Sequence, residues 1–243
     1  MTAVVVGTVV AAVLIPRVGG GSSVTDPAAP AVPASAAPAA ATPGSSPAPS
    51  PAAADAPADT ALADLAALRA DDDAATLRDD RDAFGETWAD VDRDGCDTRN
   101  DVLGRDLADP VFRAGTGDCK VVGGSLVDPY DGTAVAFVSG GGTSRLVQID
   151  HIVALAWAWR HGAETWTDER RLAFANDPVN LQAATEATNQ AKSDSGPAEW
   201  LPADAPRACA FVARFVAVLT AYDLGIDDAE RAAAERVLRG CPG

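Results

Sequence analysis

From Val18 to about Thr60 the chain consists almost wholly of Ala, Pro, Ser and Gly, as in the run PAAPAVPASAAPAAATPGSSP. Such a stretch buries too little apolar surface to offset the entropy of ordering its backbone. Residues 18–60 are therefore expected to form a disordered, partly polyproline-like linker. Whatever folds must lie in residues 61–243, roughly 180 residues, a length that suits a single core.

Ahead of the linker, Thr2 to Ile15 are apolar and uncharged, and Pro16 and Arg17 follow. At 1.5 Å per helical residue this run reaches about 21 Å, short of the roughly 30 Å of a bilayer's hydrocarbon. Residues 1–17 are expected to be a signal peptide, with a short membrane anchor as the alternative. No basic residue precedes the apolar run, which points to a translation start further upstream. A domain exported and held on a tether, or released from it, is expected at the cell surface or outside the cell.

The cysteines agree. Cys96, Cys119, Cys209 and Cys241 all fall in the expected domain, and none forms the close pair typical of a structural zinc site. Disulfides are the better reading. Of three connectivities, the sequence-local one, Cys96 with Cys119 and Cys209 with Cys241, is favoured. Each closed loop would contribute about 3 to 4 kcal/mol in the chain-entropy account. The net charge of −16 excludes a protein that grips nucleic acid through a broadly basic face. Any nuclease activity must rest on a local site.

Along the domain, Leu62, Leu65, Leu68 and Leu77 give a helical pattern over 61–83, interrupted by three aspartates at 71–73. A short helix is expected from Thr98 to Leu107. In CKVVGGSLVDPYDGTAVAFVSG the PYDG turn separates two β-rich runs, so a hairpin is expected. Residues 145–149 read as a strand that delivers Asp150 and His151. The helical pattern Ala154–Arg160 then stops at His161 and Gly162, which makes His161 a cation near a helix C-terminus. Further on, residues 179–184 suit a short strand carrying Asn180. A helix from about Thr185, ended by Gly196 and Pro197, places Asn189 and Lys192 on one face.

A histidine such as His151 at the end of a strand is often only a satisfied turn residue, and alone it would carry little. Taken together, IDHIVALAWAW, NDPVNL and NQAKSD resemble the HNH endonucleases of the ββα-metal (His-Me finger) superfamily. The likeness is to secreted HNH proteins related to the C-terminal domain of GmrSD-type modification-dependent restriction enzymes. It extends upstream to DGCDTRNDVLGRDL and covers roughly residues 84–241.

The resemblance implies an α+β fold with a ββα-metal core at about 145–196, an added N-terminal β-hairpin, flanking helices and two disulfides. It implies a metal-dependent endonuclease in which His151 is the general base. Asp150 and Asn189 would be the protein ligands of one Mg²⁺ or Mn²⁺ ion, a hard, oxygen-only set. Many family members carry His where Asn189 stands. Because Asp150 and His151 point to opposite faces of an extended strand, the shared site requires a turn at Asp150. Asn180 would tie the loop between the strands and hold His151 in place.

Lys192 is expected either to screen phosphate charge or to be solvated at a helix end, and Arg99 either to contact phosphate or to pair with Asp97 or Asp101. Trp157, Trp159, Trp166 and Trp200 are assigned to packing around the site. The substrate expected is DNA, with RNA as the alternative, read with little sequence specificity by a monomer. Two other classes stand beside this one: a non-catalytic extracellular binding domain, and a metal-dependent hydrolase of another phosphodiester or an ester.

Overall fold

A computed structural model describes residues 57–71, 80–140 and 143–242. The expected signal or anchor at 1–17 and nearly all of the 18–60 linker lie outside the described residues, as does most of the acidic interruption near 72–79. The first described element is α1, Ala58–Ala67, which starts slightly ahead of the expected boundary at 61. A 3-10 turn at Arg81–Phe84 leads to α2 (Thr98–Asp106), β1 (Ala108–Phe112), β2 (Val121–Val127) and β3 (Ala134–Val138). There follow β4 (Val147–His151), α3 (Leu155–Arg160), α4 (Asp168–Ala175), β5 (Leu181–Thr185), α5 (Glu186–Lys192), α6 (Ala205–Tyr222) and α7 (Asp228–Arg239).

The helices start where short polar side chains replace the missing backbone acceptors. Asp97, Thr167, Thr185, Asp204 and Asp227 each accept from a backbone N–H in the first turn of α2, α4, α5, α6 and α7. The longest helix, α6, buries Phe211, Val212, Phe215, Val216 and Leu219 on one face. It packs with α1 and α7 into the main core, together with Trp157 and Phe174. A second, smaller core collects Val102, Leu103, Val121, Leu126, Phe137 and Ile149 beneath the sheets.

Three strands form an antiparallel sheet in the order β1-β2-β3, and β4 pairs antiparallel with β5 in a separate two-stranded sheet. The hairpin around PYDG is present as β2–β3. Its turn is fastened to the second sheet. Asp128 Oδ1 accepts from the backbone N–H groups of Tyr130 and Asp131, while Oδ2 accepts from Thr185 N at 2.6 Å and Thr188 Oγ1 at 2.7 Å. The first strand, β1, was not legible as a strand: Pro110 interrupts it and its pairing with β2 is irregular.

The expected disulfides are both formed, Cys96–Cys119 and Cys209–Cys241, and no cysteine is free. The first joins the loop before α2 to the turn between β1 and β2. The second joins α6 to the residues after α7. The result is a mixed α+β fold with small sheets and two covalent staples.

Candidate active site

The sheet of β4 and β5 is regular through its last residue, with Asp150 opposite Gln182 and His151 opposite Leu181. The turn expected at Asp150 is therefore absent, and strand alternation sends the two side chains to opposite faces. This corrects the expectation of a shared site. After β5 the chain passes directly into α5, so the strands and helix follow one another as β-β-α.

On one face of β4, Asp150 is only 4 % exposed and Lys192, from the last turn of α5, is 0 % exposed. The Lys192 Nζ donates to Asp150 Oδ1 at 3.1 Å and to the His151 carbonyl at 2.7 Å. Lys192 thus neither screens a surface phosphate nor sits in solvent. The other carboxylate oxygen of Asp150 accepts from the Tyr130 hydroxyl. Burial lifts the Asp150 carboxyl above its ordinary range, against the opposing pull of Lys192 and Tyr130. It pushes the Tyr130 hydroxyl up as well, with Asp150 adding to the effect.

The His151 ring lies on the other face, in a cleft lined by Arg81, Glu86, Trp88 and Asn176 among others. Its Nε2 is 2.8 Å from the Ala175 carbonyl oxygen. A carbonyl only accepts, so Nε2 carries the hydrogen and Nδ1 of the neutral ring is left with its lone pair. Desolvation lowers the His151 pKa to about 4, with Lys192 and Arg81 acting in the same direction and the Ala175 bond opposing them. The Trp88 ring is stacked on His151 with centroids 6.3 Å apart and planes at 14°. Trp88 has a left-handed backbone, φ 62°, a conformation a bulky residue adopts only when its surroundings impose it.

Asn180 is fully buried in the turn just before β5 rather than within the strand. Its side chain accepts from Val153 N at 2.9 Å and donates to Val153 O at 3.2 Å, while its carbonyl accepts from Ile152 N at 2.7 Å. These three bonds clamp the two residues after His151. Arg99 pairs with neither Asp97 nor Asp101; it donates to the Val147 carbonyl at 3.1 Å, at the start of β4. Burial lowers its pKa from the usual arginine value.

Asn189 donates through Nδ2 to Gln148 Oε1 at 2.7 Å, and among the described residues its own Oδ1 has no partner. Gln148 and Asp150 are two apart on β4 and so share a face. A carboxylate has about four lone-pair sites, and Lys192 and Tyr130 occupy one each. Asp150 and Asn189 therefore retain hard oxygen capacity on one face, a donor set that suits Mg²⁺ or Mn²⁺.

His161 is a correction. It caps the C-terminus of α3 but is buried, stacked on Trp157 at 3.6 Å, with its Nδ1 3.5 Å from Asp71 Oδ2. Burial lowers its pKa despite Asp71, so it is a neutral core residue rather than an exposed cation.

Residues 97–233, more than half of the chain, match the family described as GmrSD restriction endonucleases, C-terminal domain. The chain belongs to this family. A relative named "Uncharacterized secreted protein" from Arthroderma benhamiae is 38 % identical over 148 residues, covering 60 % of this chain and 68 % of its own length. No solved structure matches. The GmrSD family match agrees with the nuclease family expected from sequence. A secreted relative and two disulfides agree with an extracellular location.

Several residues around the GmrSD-family segment escaped the sequence reading. Tyr130 was read only as part of the PYDG turn, and Trp88 was assigned no role. Neither carries a local signal of its contact with β4, since both arrive from distant loops. A third omission was legible: Asp90, Asp92 and Asp94 bring their oxygens within 4.8 Å of one another. With Gly95 and Asp101 they have the spacing of a calcium loop that ends in Asp instead of Glu. Burial, then repulsion from Asp94 and Asp92, pushes Asp101 up to about 7.

Proposed function

We propose that this GmrSD-family chain is an extracellular endonuclease that hydrolyses phosphodiester bonds of DNA, with RNA as the alternative substrate, and that His151 is its general base. The observation that carries the reading is the bond from His151 Nε2 to the Ala175 carbonyl. It fixes the tautomer, so the basic Nδ1 is available to remove a proton from water. Asn180 holds the backbone beyond His151, and Trp88 limits rotation of the ring. Water attacking in line with the departing 3′-oxygen leaves 5′-phosphate and 3′-hydroxyl ends. The face of β4 on which Asp150 and Asn189 would hold an Mg²⁺ or Mn²⁺ ion is opposite the one that carries the His151 ring, so for the ion to supply charge neutralisation at the phosphate the end of β4 must rearrange when metal and substrate bind.

Nicking of supercoiled plasmid with and without EDTA tests the reading, with His151→Ala beside the wild type. Loss of about 10² to 10⁴-fold is expected for His151→Ala, the usual range for a general base, with little change in melting temperature. Chelation is expected to stop nicking while the far-ultraviolet spectrum stays as it was. Wild-type rates in His151→Ala, or loss of activity through unfolding, would return His151 to a packing role.

A further inference from the structure

We infer that Arg81 is the phosphate-binding residue of the His151 cleft and holds the phosphodiester that the activated water attacks. The inference rests on the nuclease reading above and adds a residue upstream of the segment that matches the family.

The site's other cations are spent. Lys192 is sealed against Asp150 and the His151 carbonyl. Arg99 serves Val147; Arg105 serves Asp106 and the carbonyls of Pro178 and Leu181. Arg171 is bound to Ala83, Ala163 and Asp168, and Arg214 to Gln182, Val179 and Leu181. In contrast, Arg81 is exposed, lines the same cleft as His151, and makes no hydrogen bond or ion pair among the described residues. A chain of net charge −16 needs such a cation at the point of reaction. A planar guanidinium meets two phosphate oxygens at once.

The cleft also carries an unmet polar atom. Asn176 lines it and is buried, and its amide orientation is fixed by Nδ2 donating to the carbonyls of Leu172 at 3.0 Å and Glu86 at 3.3 Å. Its Oδ1 has no partner among the described residues. Buried acceptors are nearly always satisfied, and a donor taken up with the substrate, such as the attacking water, would satisfy this one. The class of ligand is thus an anion with a hydrogen-bond donor beside it, a phosphodiester and its nucleophile.

The test compares the wild type with Arg81→Ala and Arg81→Lys in the full chain, using cleavage of a fluorescent oligonucleotide and its binding as salt is varied. Losing a charge-assisted phosphate contact should raise KM about 10- to 100-fold, with kcat affected less. Arg81→Lys should fall between. The slope of log affinity against log salt should shrink by about one in Arg81→Ala, at unchanged melting temperature. If the wild type cleaves and Arg81→Ala keeps its KM and salt slope, the inference fails while the nuclease reading stands. Loss of activity together with the fold also overturns it. If the wild type cleaves no nucleic acid, the nuclease reading fails and takes this inference with it.

Discussion

Replacing Lys192 by Met keeps the length of the side chain and removes its charge from a place with no solvent. Asp150 would lose the donor at 3.1 Å and the His151 carbonyl the donor at 2.7 Å, leaving Tyr130 alone on the carboxylate. Breaking a buried pair by removing one partner costs about 3 to 5 kcal/mol. For a domain of this size each kcal/mol moves the melting temperature by about 2 to 4 °C, so a fall of roughly 6 to 20 °C is expected. The deficit should depend on pH. Without Lys192 the Asp150 carboxyl rises further above its unfolded value near 3.9. The folded state then holds a proton that the unfolded chain has released, so stability falls as pH rises and the deficit shrinks in acid. Thermal and urea unfolding of Lys192→Met, Asp150→Asn and the double variant would measure the coupling. The reasoning is refuted if Lys192→Met loses less than about 1 kcal/mol, the worth of an exposed pair, or if the double variant is no more stable than the sum of the singles.

His161→Ala should lower stability by about 1 to 3 kcal/mol and leave plasmid nicking intact, since it removes the stack on Trp157 and touches nothing in the His151 cleft; altered kinetics would contradict this. Asn180→Ala removes both side-chain bonds to Val153 while the backbone bond to Ile152 stays, and a cost of about 1 to 3 kcal/mol in chemical unfolding should accompany slower turnover. Asp101 titrates near 7 in the folded protein, so the native state binds a proton that the unfolded chain releases near 3.9. Its contribution is greatest below that value and declines as pH rises toward 7. Asp101→Asn should therefore melt higher than the wild type at pH 8 and show a flatter slope between pH 5 and 8, whereas parallel curves would be evidence against the shift. Peptide mapping without reduction should return the Cys96–Cys119 and Cys209–Cys241 links and no free thiol.

Much of the β-β-α arrangement could be read from the chain because its signals are local. The apolar alternation of β4, the turn before β5 and the Thr185 cap of α5 each lie within a few residues of the element they define. The expectation that Asn180 ties the loop between the strands came from the family resemblance, since locally it reads only as a turn asparagine. What failed was long-range. That Lys192 is sealed inside depends on the β2–β3 turn closing over Asp150 through Tyr130, and no pattern near residue 192 records that event. Arg99 was expected either to contact phosphate or to pair with Asp97 or Asp101, but α2 lies against β4 and turns it toward Val147. His161 was read from its helix end alone, without the Trp157 ring beneath it.

The two covalent links also bear on where the chain can hold its fold. Lacking either link costs about 2 to 5 kcal/mol, and a whole domain is held together by only about 5 to 15 kcal/mol. With both thiol pairs reduced, most or all of that margin is gone. The clamped strand, the stacked ring and the cleft are then not assembled, so a chain that has not been oxidised would lack the proposed site. For the proposed endonuclease, the staples would thus couple assembly of the site to passage out of the reducing cytosol.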